Sequence, residues 1–296
     1  MDLTIVKLTI TVFEGAADLR DACLSGRGTG FEKVLFNTCC TRPGVSCQAC
    51  PGASVCPLTL LTGRILSSDP ELLRKHQKPS LPYIFESIHQ SDESGYGDTF
   101  GVCLLGPSIT YLVAFIVTLS RLVGTGAKLE VAATDYQGAP MVLQSMSAGH
   151  VDNLPLLSLA ELYTRRSIDF VGCKRLLFRL LTRLRLVHDG REMGRFEPQL
   201  VLRAFIRRLT ALCAYYGDRV DPDTVQRLIA AADTVTVARA VCNGEKSLVC
   251  HRGITGSYEL TGDFELLGPL LSAASLLHLG KGASYGMGAF SVSPIS

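Results

Sequence analysis

The strongest constraint on this chain is that it echoes itself. Val102–Val131 reads VCLLGPSITYLVAFIVTLSRLVGTGAKLEV, and Glu265–Val292 reads ELLGPLLSAASLLHLGKGASYGMGAFSV. Each carries LLGP, then an apolar helical stretch, a glycine-spaced loop and a short strand pattern. Proline suits a first helical turn, where its missing amide costs nothing. Glycine suits a helix end, where a left-handed backbone is wanted. An echo at this spacing points to a duplicated unit. The preceding segments correspond more loosely. In the first half a strand at 2–13 is followed by a helix over Gly30–Cys39, then strands near 81–90 and 98–105. In the second, a strand at 174–187 precedes helices at 198–216 and 222–232 and strands at 234–242 and 247–261. Each half reads strand–helix–strand–strand–helix–strand, the ferredoxin-like order. The expected fold is therefore α+β, two tandem ferredoxin-like domains covering 1–150 and 151–296. No Pro/Ser-rich linker marks the boundary.

The N-terminus alternates, with Val6, Leu8, Ile10 and Val12 on one face, so it reads as a strand and not as an export signal. The expected compartment is the cytoplasm. Eleven cysteines in such a compartment argue against a disulfide framework. The most apolar stretch, Ile109–Leu119, reads as a buried helix too short to span a bilayer, so no membrane partner is expected. Net charge is only +2, so any nucleic-acid surface has to come from local clustering.

Two segments supply that clustering. Gly280, Gly282, Gly286 and Gly288 bracket Lys281, Ser284 and Tyr285 in GKGASYGMG. Bare backbone can approach a phosphate closely, Lys281 adds charge, Ser284 a hydroxyl, and Tyr285 a ring for stacking. An ordinary glycine-capped turn fits the spacing as well. A dinucleotide fingerprint does not fit, because that motif follows a strand and opens a helix. Upstream, Lys174–Arg208 gathers Lys174, Arg175, Arg179, Arg183, Arg185, Arg191, Arg195, Arg203, Arg207 and Arg208 against only Asp189, Glu192 and Glu197. As a strand, Phe178, Leu180, Leu184 and Leu186 face the core. Arg179, Arg183 and Arg185 then share the other face, suited to phosphates. As a helix, Arg175, Arg179 and Arg183 align instead.

The closing LLHLGKGASYGMGAF resembles the C-terminal signature of the CRISPR-associated precursor-RNA-processing endoribonucleases, members of the RAMP (repeat-associated mysterious protein) superfamily. FRLLTRLRLVHDGR (Phe178–Arg191) and FEPQLVLRAFIRRLTALCAYYG (Phe196–Gly217) are similar to that family's central strand and helix. PYIFES (Pro82–Ser87) resembles an earlier block. The resemblance implies precursor CRISPR RNA as substrate and favours the strand for the arginines. It also implies a reaction in which a ribose 2′-hydroxyl attacks the adjacent phosphate, leaving a cyclic phosphate. Such chemistry needs a base, an acid and cations, but no cofactor. The family's usual N-terminal catalytic histidine has no counterpart before His76. The candidates are therefore His278, beside the glycine-rich loop, with Arg27 and Arg252 as cations for the phosphorane. A packed histidine at a helix end is the other reading of His278. The missing histidine keeps open a non-catalytic RNA-binding subunit of a CRISPR effector complex.

Cys39, Cys40, Cys47, Cys50 and Cys56 crowd an insertion near 39–57. Cys47-x-x-Cys50 has metal-ligand spacing, and Cys56 with Cys39 or Cys40 would complete a structural zinc site. Reduced cysteines in an irregular insertion fit equally well.

Overall fold

The computed structural model describes residues 1–13, 23, 30–63, 69–76, 79–87, 98–124, 128–143, 153–241 and 253–295. The chain divides into two compact units, Thr4–Leu157 and Met1–Leu3 with Ser158–Ser296.

The first unit runs β1 (Thr4–Val12), α1 (Gly30–Cys39), α2 (Pro57–Leu61), α3 (Pro70–Lys75), β2 (Tyr83–Ser87), β3 (Asp98–Leu105), α4 (Leu112–Val123), β4 (Leu129–Thr134) and β5 (Pro140–Val142). Its sheet has the order β2-β3-β1-β4-β5, with β1 antiparallel to both neighbours. Alternation dictates which face is buried. Val6, Leu8, Ile10 and Val12 are fully enclosed, while Lys7, Thr9 and Thr11 stand on the other side. The core is aromatic. Phe31 of α1 meets Phe115 of α4 at 4.7 Å and Phe85 of β2 at 5.2 Å between ring centroids. LLGP makes the turn into α4. Ser108 Oγ accepts from the Leu105 amide at 3.0 Å and donates to the Pro82 carbonyl at 3.1 Å, tying the turn to the start of β2. A 3₁₀ turn, Gly106–Tyr111, leads straight into α4. The helical run is therefore 18 residues, Gly106–Val123, with a mean hydropathy of 1.5. This corrects the shorter stretch read from the sequence: by length and composition alone it could cross a membrane. Here it buries Phe115, Ile116 and Leu119.

β6 (Leu157–Ser158) lies where the chain passes between units. The second unit continues with α5 (Leu159–Ser167), β7 (Arg175–Leu184), β8 (Val187–His188), β9 (Arg191–Glu192), α6 (Pro198–Tyr216), α7 (Pro222–Asp233), β10 (Thr236–Val241), β11 (Ile254–Thr261), α8 (Leu267–Ala273) and β12 (Phe290–Pro294). Its sheet has the order β10-β11-β7-β12. In both units the strand order is second, third, first, fourth. That order with helices after the first and third strands is the ferredoxin-like fold, so the chain is a tandem of two. β7 is the inner strand that settles the ambiguity in the arginine segment. Leu176, Phe178, Leu180 and Leu184 are buried beneath α6, which contributes Val201, Leu202, Phe205, Leu209 and Leu212. Phe178 stacks on Phe290 of β12 at 5.0 Å, and Phe205 meets Phe290 edge-on.

α5 has no counterpart in the sequence reading, which assigns no element to 150–172. Ser158 caps it, accepting from the Glu161 amide at 3.2 Å. Residues 1–3 belong to the same unit. The Asp2 carboxylate accepts from Ser158 Oγ and the Ala160 amide at 2.9 and 3.1 Å, and the Asp218 amide donates to the Asp2 carbonyl at 2.9 Å.

Candidate nucleic-acid interface

The glycine-rich loop leaves the end of α8. A 3₁₀ turn, Ala274–Leu277, ends at His278, whose φ of 50° is a left-handed value for a residue with a side chain. The loop closes on itself where the Leu279 amide donates to the Gly288 carbonyl at 3.0 Å. It is then fastened to the end of β7. The Lys281 amide donates to the Arg185 carbonyl at 2.7 Å and the Gly288 amide to the Arg183 carbonyl at 3.0 Å. Thr182 Oγ1 donates to the Gly286 carbonyl at 2.8 Å and accepts from the Ala289 amide at 2.9 Å.

Two of the glycines are there for this closure. A Cβ on Gly280 would stand 2.4 Å from the Arg185 carbonyl oxygen, and one on Gly288 would stand 1.8 Å from the Leu279 carbonyl oxygen. Both have positive φ, +81° and +66°. The bare backbone expected to face a phosphate is, at these positions, pressed against the protein's own chain. The Tyr285 and Met287 amides also turn inward, to the Gly282 carbonyl at 2.9 and 3.2 Å. What the loop turns outward is side chain. Lys281 is exposed and Tyr285 half-buried, whereas Ser284, expected from the sequence to offer its hydroxyl to RNA, is buried at 7% exposure.

The arginines divide by partner. Arg179 is exposed at the centre of the sheet's outer face, in register with Ser257 of β11 and Ser291 of β12. Leu181 beside it on the same face is 57% exposed. Arg183 follows on that face, half-buried. β7 ends at Leu184, so Arg185 lies just past it and not on its face. Its guanidinium pairs with Glu192 of the β8–β9 hairpin. Arg175 pairs with Glu259 at 3.5 Å, and Arg203 on α6 holds Asp233 through two short bonds.

The hairpin is the feature that the sequence reading missed. Asp189 and Gly190 both have positive φ, 48° and 76°, as a tight two-residue turn requires. It carries His188, 54% exposed and 3.5 Å from the Asp189 carboxylate. His188, Arg191, Glu192, Arg195 and Leu200 line a shallow, open depression on the surface. His278, by contrast, is 2% exposed. Its carbonyl accepts from Arg208 Nε at 3.1 Å. Arg27 and Arg252 lie outside the described residues.

The clustered cysteines occupy the first unit. Cys39 ends α1, Cys47 and Cys50 flank a 3₁₀ turn, and Cys56 caps α2. All five, Cys40 included, are half-buried thiols. Burial raises Cys39, with Cys56 and Cys40 adding to the effect and Arg121 opposing it. Among the described residues no three His, Cys, Asp or Glu side chains are grouped closely enough to hold a metal ion.

Residues 178–290 match the family model of the CRISPR-associated endoribonuclease Cas6, and residues 26–148 match AF_1859_N, a model described as an N-terminal domain. No curated protein matches the chain. Among solved structures, a Cas6 product complex is 16% identical with a TM-score of 0.51, covering 97% of this chain and 99% of that one. A partial Cas6-RT-Cas1–Cas2 complex is 12% identical with a TM-score of 0.54, covering 99% of this chain and 46% of that one. Thermus thermophilus Cas6 is 16% identical with a TM-score of 0.49, over 99% of this chain and 98% of that one. The first two show the same tandem fold, and the Cas6 model runs from Phe178 within β7 through most of the arginine segment to the glycine-rich loop. Residues 178–290 therefore carry a domain similar to the CRISPR-associated endoribonuclease Cas6, set in a tandem fold shared with Cas6 structures.

Proposed function

We propose that the chain binds precursor CRISPR RNA and cuts it within the repeats by 2′-hydroxyl attack, leaving a cyclic phosphate and a free 5′-hydroxyl without a catalytic metal. The observation that carries this reading is the pair of bonds from Lys281 and Gly288 to the carbonyls of Arg185 and Arg183. They join the loop to the arginine-bearing end of β7, so Lys281, Arg183 and Arg179 form one cationic tract on a single rigid support. Gly280, Gly282, Gly286 and Gly288 shape that support, while Tyr285 is its other RNA-facing candidate, Ser284 is buried within the loop, and Arg185 sets the hairpin's position through Glu192. A tract of this kind holds phosphates and offsets charge developing on the phosphorane.

The proton transfers need an imidazole or its equivalent. His278 lies under the loop and reaches RNA only if the loop opens. His188 stands exposed on the hairpin that Arg185 holds through Glu192, so it is the more accessible of the two for transfer in this conformation. Arg27 and Arg252 remain the proposed cations from outside the described residues. Incubating the protein with end-labelled repeat RNA in EDTA tests the reading. One cut bearing a 2′,3′-cyclic phosphate supports it. Tight binding with no product supports the second reading, a CRISPR-RNA-holding subunit of an effector complex, which the 2% exposure of His278 favours.

A further inference from the structure

Arg208 sits on α6 facing away from the outer tract. The residue as a whole is half-buried, yet its Nη2 has no solvent exposure. This reverses the usual habit of arginine, which buries its stem and leaves the charged head in water. Taking a guanidinium out of water is costly unless acceptors replace the lost hydration. The acceptors here are the carbonyls of Leu277 and His278, which Arg208 Nε reaches at 3.0 and 3.1 Å. They are the last carbonyls of the helical run from α8, where the orphan acceptors and the helix dipole favour a cation. Burial pushes the guanidinium down to about 10. At neutral pH it is still charged.

The same two carbonyls are the point from which the glycine-rich loop departs. His278 turns the chain out of the helix at φ 50°, ψ 179°, a conformation that is strained for a residue with a side chain and persists only where its surroundings impose it. Three residues later the loop bonds to the Arg185 carbonyl through the Lys281 amide. We propose that Arg208 is the positioning residue of the glycine-rich loop: its guanidinium grips the carbonyls of Leu277 and His278 and so fixes the direction in which Lys281 and its neighbours are presented to RNA. The last clause rests on the proposed function. The grip itself does not.

The two are separated by measuring amide exchange and RNA affinity on the same full-length variants. In Arg208→Met the amides of Lys281 and Gly288 should lose protection by about tenfold or more, while those of the β7–β11 ladder keep theirs. Affinity for repeat RNA should weaken about tenfold in parallel. Arg208→Lys keeps the charge but not the planar donor, and should recover part of both. Leu228→Ala, a cavity in α7 of the same unit, serves as a control for lost stability alone. Unchanged exchange at Lys281 and Gly288 in Arg208→Met overturns the inference. So does a loss no greater than in Leu228→Ala at matched stability. Loosened loop amides with unchanged RNA affinity leave Arg208 as the loop's anchor and remove the loop from the RNA contact, which is a failure of the proposed function.

Discussion

The Lys281 amide donates to the Arg185 carbonyl at 2.7 Å, and the Cβ position of the preceding residue, Gly280, lies 2.4 Å from that same oxygen. One carbonyl thus fixes both the loop's attachment and the identity of the residue before it. Gly280→Ala should destabilise the second unit by about 1–3 kcal/mol, since the added carbon meets backbone that has little freedom to yield. Gly282→Ala should cost less. Its Cβ would have the Met287 side chain as its nearest neighbour, with Cγ at 3.1 Å, and that side chain is flexible, although φ is also positive. Urea unfolding of the two variants checks the order. Equal losses would mean that φ and not the close approach sets the cost.

Arg179 and Lys281 are exposed on the proposed tract, whereas Arg203 is held by Asp233. Phosphate contacts release counterions, so removing one lowers the salt dependence of binding as well as the affinity. Arg179→Ala and Lys281→Ala should each reduce the slope of log K against log salt by about one. Arg203→Ala should leave it unchanged. Binding isotherms at several salt concentrations decide this, and a uniform response of all three would remove the tract's special standing.

Much of this architecture was legible because period and capping agreed. β1 alternates from Val6 to Val12, α1 is the Gly30–Cys39 helix expected, and Pro198 opens α6 where the spacing placed it. The errors arose where a local signal was present but carried little apolar contrast. α5 is polar on most of its surface, so periodicity is faint, yet Ser158 with Glu161 three residues on is a helix-start signature. Asp189-Gly190 is likewise a hairpin signal, and missing it extended β7 past Leu184 and put Arg185 on the wrong face. The inward turn of the loop's amides had no sequence signal. Glycines that admit a phosphate and glycines that admit the protein's own carbonyl are written identically.

His188 and His278 make opposing demands on the chemistry. An exposed imidazole can exchange protons with RNA, and an enclosed one can do so only after a local opening. His188→Ala should lower the single-turnover cleavage rate by about 100-fold with little change in stability, the effect expected of a general acid or base. His278→Ala should lower stability with a smaller effect on rate. Single-turnover kinetics alongside thermal unfolding separate the two, and the converse pattern assigns the proton transfer to His278.

Asp2 gives the second unit an acid-sensitive tie. Burial alone would raise its carboxyl, but the Ala160 amide, the Ser158 hydroxyl and the Leu3 amide hold it below its ordinary value. A group depressed in the folded state contributes stability above its unfolded pKa and loses it as pH falls through the folded one. The second unit should therefore lose stability below about pH 4, where an ordinary aspartate protonates. Asp2→Asn should lower stability near neutrality and flatten that acid limb. Thermal midpoints between neutral and acidic pH check it, and an acid limb of unchanged steepness would free Asp2 of the role.

The cysteine insertion is testable by metal content. A zinc bound by Cys47, Cys50 and Cys56 with Cys39 or Cys40 would draw these thiols together from their present spacing and tether a segment built of short 3₁₀ turns. Thiolate ligation also reverses what burial does to Cys39, since a bound cation favours the deprotonated form that burial opposes. Protein purified without added metal should carry about one zinc per chain. A thiol reagent should release that zinc, and the first unit's thermal midpoint should fall while RNA cleavage in EDTA continues. Substoichiometric zinc and iron, with all five thiols titrating freely, would make them reduced cysteines of an irregular insertion.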